Sequence, residues 1–183
     1  MPIGKSRNLN REKGDKGERL TQEKFKLIPT SGSGCGAFDK SDSKNDWLRV
    51  ETKVTNKLYY SLDIEKFHKW RFQAAKDRKQ FFMHIIHENE DKSLDWDSSL
   101  VVVDRNYWNS FGDLTMYSDN YVDDREVNSK TTPLHFDELE YEKFTEAGTG
   151  VTSRLDLIEI TSDLGNLVVV PASFWLEQLE RDV

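Results

Sequence analysis

The segment from Gly32 to Thr55 joins a loop of small residues to a short strand whose charges fall on one side. Its last part, WLRVETKV, alternates apolar and polar residues, as a half-buried strand does. Because strand residues two apart point the same way, Glu51 and Lys53 share one face and Val50 and Thr52 take the other. The chain must therefore build a sheet that holds an acid and a base side by side.

The composition predicts one domain, or one domain with a sizeable appendage, in a chain of 183 residues. Apolar residues make up 36% and charged residues 32%, which is enough apolar surface for a core. No stretch approaches a membrane span, and residues 1–19 lack an apolar signal region. A single cysteine, Cys35, excludes an internal disulfide and a multi-cysteine zinc site. We therefore expect no membrane contact and a cytoplasmic protein.

The net charge of −7 is unevenly distributed along the chain. Residues 1–80 carry 19 Lys and Arg against 11 Asp and Glu, a net +8, and residues 81–183 carry a net −15. A basic surface attracts phosphates, and an acidic one repels them. The half that contains Glu51 and Lys53 is thus the half suited to a nucleic acid.

Hydrophobic periodicity predicts helices and strands in alternation. The expected helices and strands, in chain order, are a helix at 14–28, a strand at 47–54, a helix at 62–79, strands at 81–87 and 99–104, a short helix at 106–112, a helix at 136–146, a hairpin of 155–161 with 166–171, and a final helix.

This order predicts an α/β fold with a central mixed β-sheet flanked by helices. We divide the chain into a flexible basic arm (1–13), a core (14–112) and an acidic α+β C-terminal extension that packs on the core (113–183).

Three residue types near the predicted strand suit phosphodiester chemistry. Mg²⁺ takes hard oxygen ligands, and one or two carboxylates on a firm backbone are enough to hold it. Asp42 and Glu51 supply such carboxylates, and the carbonyl of Thr52 can add a third ligand. Lys53, held near the metal and the phosphate, can orient or help to deprotonate a water, since nearby cations and burial can lower the pKa of an ammonium in that setting. The expected cofactor is Mg²⁺, with Mn²⁺ as a substitute.

Several short motifs occur in a characteristic order. They are Gly17-Glu18-Arg19 at a helix start, Ser31-Gly32-Ser33 in a loop, Lys40-Ser41-Asp42, Glu51-Thr52-Lys53-Val54-Thr55 on the strand, and Gln73-Ala74 on the next helix. Residues 14–90 resemble the PD-(D/E)xK nuclease superfamily, and most closely its Holliday junction resolvase branch of archaea and phages. The resemblance implies a restriction-endonuclease-like fold for this part of the chain.

The resemblance also implies roles for individual residues. Glu18 becomes an additional acid near the metal, Lys53 the catalytic base or water-orienting group, and Gln73 a neighbour of the site. Members of the family leave 5′-phosphates, and those that cut four-way junctions in recombination and repair act as homodimers. Ser41 stands where the family usually has glycine, and the residues after Asp42 are polar, so the second ligand remains open among Asp39, Asp42 and Asp46.

Basic and small polar residues around the motifs are the expected DNA contacts. They are Lys13, Lys16, Arg19, Ser33, Lys40, Lys57, Lys69 and Lys76. Tyr59 and Tyr60 follow the strand and either stack on a base or support the core, which is the commoner use of such residues.

Three functions fit these observations. The first is a metal-dependent, structure-selective DNA endonuclease that resolves branched DNA. The second is a restriction-like or repair nuclease of the same superfamily. The third is a non-catalytic DNA-binding or protein-interaction module that retains the scaffold.

Overall fold

The computed structural model describes residues 4–30, 42–111, 119–146 and 150–181. Its helices are α1 Gly4–Phe25, α2 Ile64–Lys76, α3 Arg105–Asn109 and α4 Ala172–Arg181. Its strands are β1 Ile28–Pro29, β2 Ser43–Lys44, β3 Leu48–Thr55, β4 Tyr59–Asp63, β5 Gln80–Glu88, β6 Leu94–Asp104, β7 Asp119–Glu126, β8 Thr131–His135, β9 Tyr141–Glu146, β10 Gly150–Thr161 and β11 Leu167–Pro171.

The expected α/β class is confirmed, since one mixed sheet of nine strands runs through the described residues with helices against it. The strand order is β1-β2-β3-β5-β6-β11-β10-β7, and β9 also pairs with β10. β3 runs parallel to β5, and α2 makes the crossover between them. β4 and β8 form a separate two-stranded ribbon. Among the described helices, none is both long and apolar enough to cross a membrane.

The sheet is covered on both faces by apolar side chains. On one face, Phe25 of α1 and Trp175 of α4 pack against Val50 and Phe82. On the other face, Phe67 of α2 and the ribbon residues Leu62 and Leu134 pack against Met83 and the other strand side chains that point to that side. Asp63 caps α2, because its carboxylate accepts a hydrogen bond from the Lys66 amide at 2.9 Å. The two-sided burial places β3 between α1 and α2.

The N-terminal helix is longer than the sequence pattern predicts. α1 begins at Gly4, within the segment expected to be a flexible arm (1–13), and ends at Phe25 rather than residue 28. Residues 9–12 and 15–16 are exposed, so helical periodicity gives no sign of the first turns. Lys, Arg, Glu and Asn continue a helix without burying anything, and periodicity detects only buried faces.

The segment after residue 112 also differs from the expectation. The helix expected at 136–146 is wrong, because Tyr141–Glu146 is strand β9, paired antiparallel with β10. The hairpin is confirmed as β10 and β11. β11 pairs with β6, so the sheet continues from the first half of the chain into the second. The expected extension (113–183) thus supplies strands to the sheet that carries Glu51.

Candidate active site

Strand β3 presents its second half at an edge of the described sheet. β2 pairs only with Arg49 and Val50 of β3, and its register, extended by one residue, places Asp42 opposite Glu51. The Asp42 amide donates to the Val50 carbonyl at 3.1 Å, and the Asp42 Oδ2 accepts from the Thr52 amide at 2.8 Å. Asp42 is therefore held on the backbone of the strand that carries Glu51 and Lys53.

Glu51 and Lys53 form a close ion pair on the α2 side of β3. The Lys53 Nζ lies 2.5 Å from the Glu51 Oε1. Glu51 is only 4% exposed, and its second oxygen, Oε2, has no hydrogen-bond partner within the described part of the chain. A buried carboxylate oxygen without a donor is costly, and a bound cation is one arrangement that would offset that cost.

Three carboxyl groups near this point have raised pKa values. Burial, and then the charges of Asp42 and Asp15, raises the pKa of Glu18 to about 7. Burial and the Asp42 charge raise the pKa of Glu51 to about 7, against the opposing effect of Lys53 and Lys66. Burial also raises the pKa of Asp42, although the Thr52 amide and Lys53 oppose this. Acids whose pKa values are raised by burial and by a neighbouring carboxylate are typical of functional sites.

Lys53 has a raised pKa. Burial alone would lower the pKa of Lys53, but the contact with Glu51 and the charge of Asp42 outweigh burial and raise it above its usual value. The expected lowering concerns the site with a cation beside Lys53, and it stays a prediction for that state. Lys53 is an ammonium that can bind and orient negative groups, rather than a free base.

Helix α1 lies unusually close to β3, and this brings Glu18 to the cleft that Asp42 and Lys53 also line. A Cβ added at Gly17 would lie 2.2 Å from the Val54 Cγ2 and 3.4 Å from the Thr52 Cγ2. The cleft, about 430 Å³ in volume, is lined by Glu18, Asp42 and Lys53 among others. Glycine at position 17 is what lets the next residue reach the strand.

A buried chain of hydrogen bonds joins α1 to the strands beneath it. The Thr52 hydroxyl donates to the Thr21 Oγ1 at 3.1 Å, and the Thr21 Oγ1 lies 2.8 Å from the His84 Nδ1. The His84 Nε2 lies 3.2 Å from the Ser99 Oγ, which donates to the Trp96 carbonyl at 2.6 Å. Burial lowers the pKa of His84 to about 3, so the ring is neutral. The Thr21 hydroxyl has one proton and two acceptors within reach, the Gly17 carbonyl at 2.9 Å and the His84 Nδ1, so the tautomer of His84 decides which of them accepts it.

Two glycines of α1 provide a matched test of the close approach. Gly17→Ala is expected to destabilise the fold and move Glu18 away from the cleft, because the branched Val54 side chain blocks the new methyl group. Gly14→Ala meets nothing within 4 Å and is expected to stabilise α1 by about 0.5–1 kcal/mol. Urea unfolding of both variants measures the difference, and a stabilised Gly17→Ala would contradict the contact.

The α2 side of the site contains residues that the motifs do not indicate. The Trp70 ring has the Lys53 Nζ at 5.1 Å and the Lys66 Nζ at 4.9 Å from its centroid. Tyr60 is close enough for its pKa, raised by burial, to be influenced by Lys53 and Glu51. Lys66 makes no ion pair with any residue in the described ranges, which leaves its charge available. In the sequence, Lys66 and Trp70 are indicated as neighbours only by their spacing of four residues, which places them on one side of a helix.

The other predicted site residues lie at varying distances from the cleft. Lys13 lines it but pairs with Glu88 at 3.6 Å. Gln73 is half-buried on α2 and makes no hydrogen bond within the described ranges. Asp46 is exposed in the turn before β3, away from Asp42. The exposed basic residues are Lys16 and Arg19 on α1, Lys57 after β3, and Lys69 and Lys76 on α2. Ser33, Asp39 and Lys40 lie outside the described residues.

The donor set suits a hard cation with few protein ligands. No group of three or more His, Cys, Asp or Glu side chains within the described ranges is arranged to hold a metal ion. The smaller set is the unpaired Glu51 Oε2, the Asp42 carboxylate opposite it and the Thr52 carbonyl. Mg²⁺ keeps several waters and is commonly held by one or two carboxylates, so these oxygens fit it.

Comparisons with protein-family models, with curated proteins and with solved structures gave no match for this chain.

Proposed function

We propose that this protein is a metal-dependent, structure-selective DNA endonuclease, and that it resolves four-way junctions by hydrolysis to 5′-phosphates. The observation that carries the proposal is the buried Glu51 Oε2, which lacks a hydrogen-bond partner among the described residues. It lies near Asp42 and Lys53, which line a cleft together with Glu18. A purely structural ion pair has no need of Asp42, whose charge raises the pKa values of both Glu51 and Glu18. The fold we assign to the part that bears these residues is restriction-endonuclease-like.

Each residue of the site has a separate role in the proposal. Asp42 and Glu51 hold Mg²⁺ or Mn²⁺ with the Thr52 carbonyl, and Glu18 adds negative charge from α1. When bound, the metal supplies charge neutralisation at the phosphate and a water of lowered pKa. Lys53, kept protonated by Glu51, aligns the scissile phosphate and the attacking water. Lys66 adds a second positive charge on the α2 side.

The setting of this activity is also part of the proposal. Net +8 over residues 1–80 favours a polyanionic substrate, and the exposed lysines of α2 suit contacts with the phosphate backbone. Two active sites are needed to cut a junction symmetrically, so we propose a homodimer that acts in the cytoplasm.

A second candidate is a non-catalytic DNA-binding module. Two observations favour it: the 2.5 Å contact between Lys53 and Glu51, and the lack of a three-carboxylate metal group in the described residues. It predicts binding without cutting under any divalent metal.

The deciding experiment incubates the protein with labelled four-way, flap, duplex and single-stranded DNA in Mg²⁺ or Mn²⁺, with Ca²⁺ as the non-cutting control. We expect the four-way junction to be cut faster than the linear duplex, with 5′-phosphate ends. Cutting of other DNA in preference to the junction would leave a nuclease of another specificity. Folded protein that cuts none of the four DNAs would overturn the proposal and favour the binding module.

A further inference from the structure

An exposed aromatic and basic cluster follows directly on strand β3. Tyr59 is 38% exposed and Leu58 75% exposed, although large apolar side chains in this protein are otherwise mostly in the core. The Lys57 Nζ lies 5.5 Å from the centroid of the Tyr59 ring, and the His135 ring lies 5.6 Å from it at an angle of 39°. Lys57, Tyr59 and His135 together form what we call the aromatic platform.

The platform is held by backbone pairing. Tyr59 and His135 are direct partners in the antiparallel pairing of β4 with β8, so their side chains lie on one face of the ribbon. The Phe136 amide also donates to the Leu58 carbonyl at 3.3 Å. The Tyr59 ring is therefore oriented before anything binds, which lowers the entropic cost of stacking on it.

The platform is continuous with the candidate active site. Thr55 and Asn56 line the 430 Å³ cleft that contains Glu18, Asp42 and Lys53, and the platform begins at the next residue, Lys57. Tyr60, the next residue of β4, points to the opposite face of the ribbon, toward Lys53 and Glu51, so the Tyr59 ring lies on the outer face beyond the rim of the cleft. Residues 56–58 join β3 to β4, so the platform follows directly on the end of the strand that carries Lys53.

We propose that the aromatic platform binds an unpaired nucleobase at the rim of the cleft that holds the scissile phosphate. Every base has a π-face that stacks on an exposed aromatic ring without regard to sequence. The cation–π contact of Lys57 with Tyr59 is exposed and therefore weak. The Lys57 ammonium can leave the ring and bind the DNA phosphate next to the stacked base. The inference rests on the proposed nuclease function and narrows its substrate to DNA with at least one unpaired or splayed nucleotide at the cut.

The test uses DNA flaps that carry 2-aminopurine at the first unpaired position, in Ca²⁺ so that no strand is cut. Stacking quenches the fluorescence of this base. Wild type and Tyr59→Phe are expected to quench it, whereas Tyr59→Ala and Tyr59→Leu are expected to lose the quenching and to bind the flap about tenfold more weakly. Binding of fully paired duplex is expected to change little in any variant.

The matched control is Phe72→Ala. Phe72 is also aromatic and 66% exposed. It lies two residues after Trp70 on α2, and residues two apart in a helix point about 200° apart around the axis. Phe72 therefore points away from the side of α2 on which Trp70 meets Lys53. The platform is overturned if Tyr59→Ala quenches and binds as wild type does, or if Phe72→Ala has the same effect as Tyr59→Ala. Wild type that binds no DNA overturns both the platform and the proposed function. Wild type that quenches but never cuts in Mg²⁺ supports the platform and overturns the nuclease alone.

Discussion

Replacing Lys53 by alanine is expected to lower the rate of DNA cleavage by about 100- to 1,000-fold, the usual effect of removing one group that stabilises developing charge. The structure places the Lys53 ammonium at the edge of β3, in contact with Glu51 and in the cleft lined by Glu18 and Asp42. A methyl group there can neither orient a water nor offset the charge of a phosphate.

DNA binding is expected to survive this change, because one contact among many basic groups contributes little to total affinity. Single-turnover cleavage in Mg²⁺ and fluorescence anisotropy in Ca²⁺ measure the two effects separately. Lys69→Ala, which removes an exposed lysine of α2, is the control and should cut normally. Equal cleavage by Lys53→Ala and wild type would exclude a catalytic role for Lys53.

Replacing Glu51 by glutamine is expected to stabilise the folded protein at pH 8 while abolishing its activity. Burial and Asp42 raise the pKa of Glu51 from 4.5 to about 7. Between these values the folded protein keeps a proton that the unfolded chain has released, so the free energy of unfolding falls as the pH rises through this window. Above pH 7 the buried carboxylate is charged in both states, and its full cost is present.

Glutamine removes that charge and retains the shape of the side chain. The gain at pH 8 is expected to be about 1–3 kcal/mol, and it should vanish near pH 4, where the wild-type carboxyl is neutral in both states. Urea unfolding without divalent metal at both pH values measures it. Glu90→Gln, at an exposed carboxylate, is the control and should change stability little at either pH. If Glu51→Gln is less stable than wild type at pH 8, the ion pair of Glu51 with Lys53 stabilises the fold, which would contradict the prediction.

Local periodicity was sufficient to predict the strand that carries the site. Glu51 and Lys53 face α2, while Thr52 and Val54 face α1, as the alternation of WLRVETKV predicts. The crossover helix and the C-terminal hairpin were predictable for the same reason, since their apolar residues recur at helical or strand spacing.

What the sequence could not provide depends on contacts between distant segments. Strand β9 reads as polar, and it is a strand because β10 pairs with it. The pairing of β4 with β8 brings His135 beside Tyr59 across more than seventy residues, and no local pattern predicts that contact. The raised pKa of Lys53 likewise depends on the distance from its ammonium to Glu51, which spacing along a strand does not determine.

The most direct measurement is a titration of the protein with Mn²⁺ followed by electron paramagnetic resonance, with wild type, Glu51→Gln and Glu90→Gln compared at pH 8. We expect one bound ion per chain in wild type and in Glu90→Gln, and none at the same concentrations in Glu51→Gln, because that variant replaces the buried Glu51 carboxylate by an amide. Wild type that binds no Mn²⁺, or Glu51→Gln that binds it as tightly as wild type does, would contradict a metal centre at this edge of the sheet.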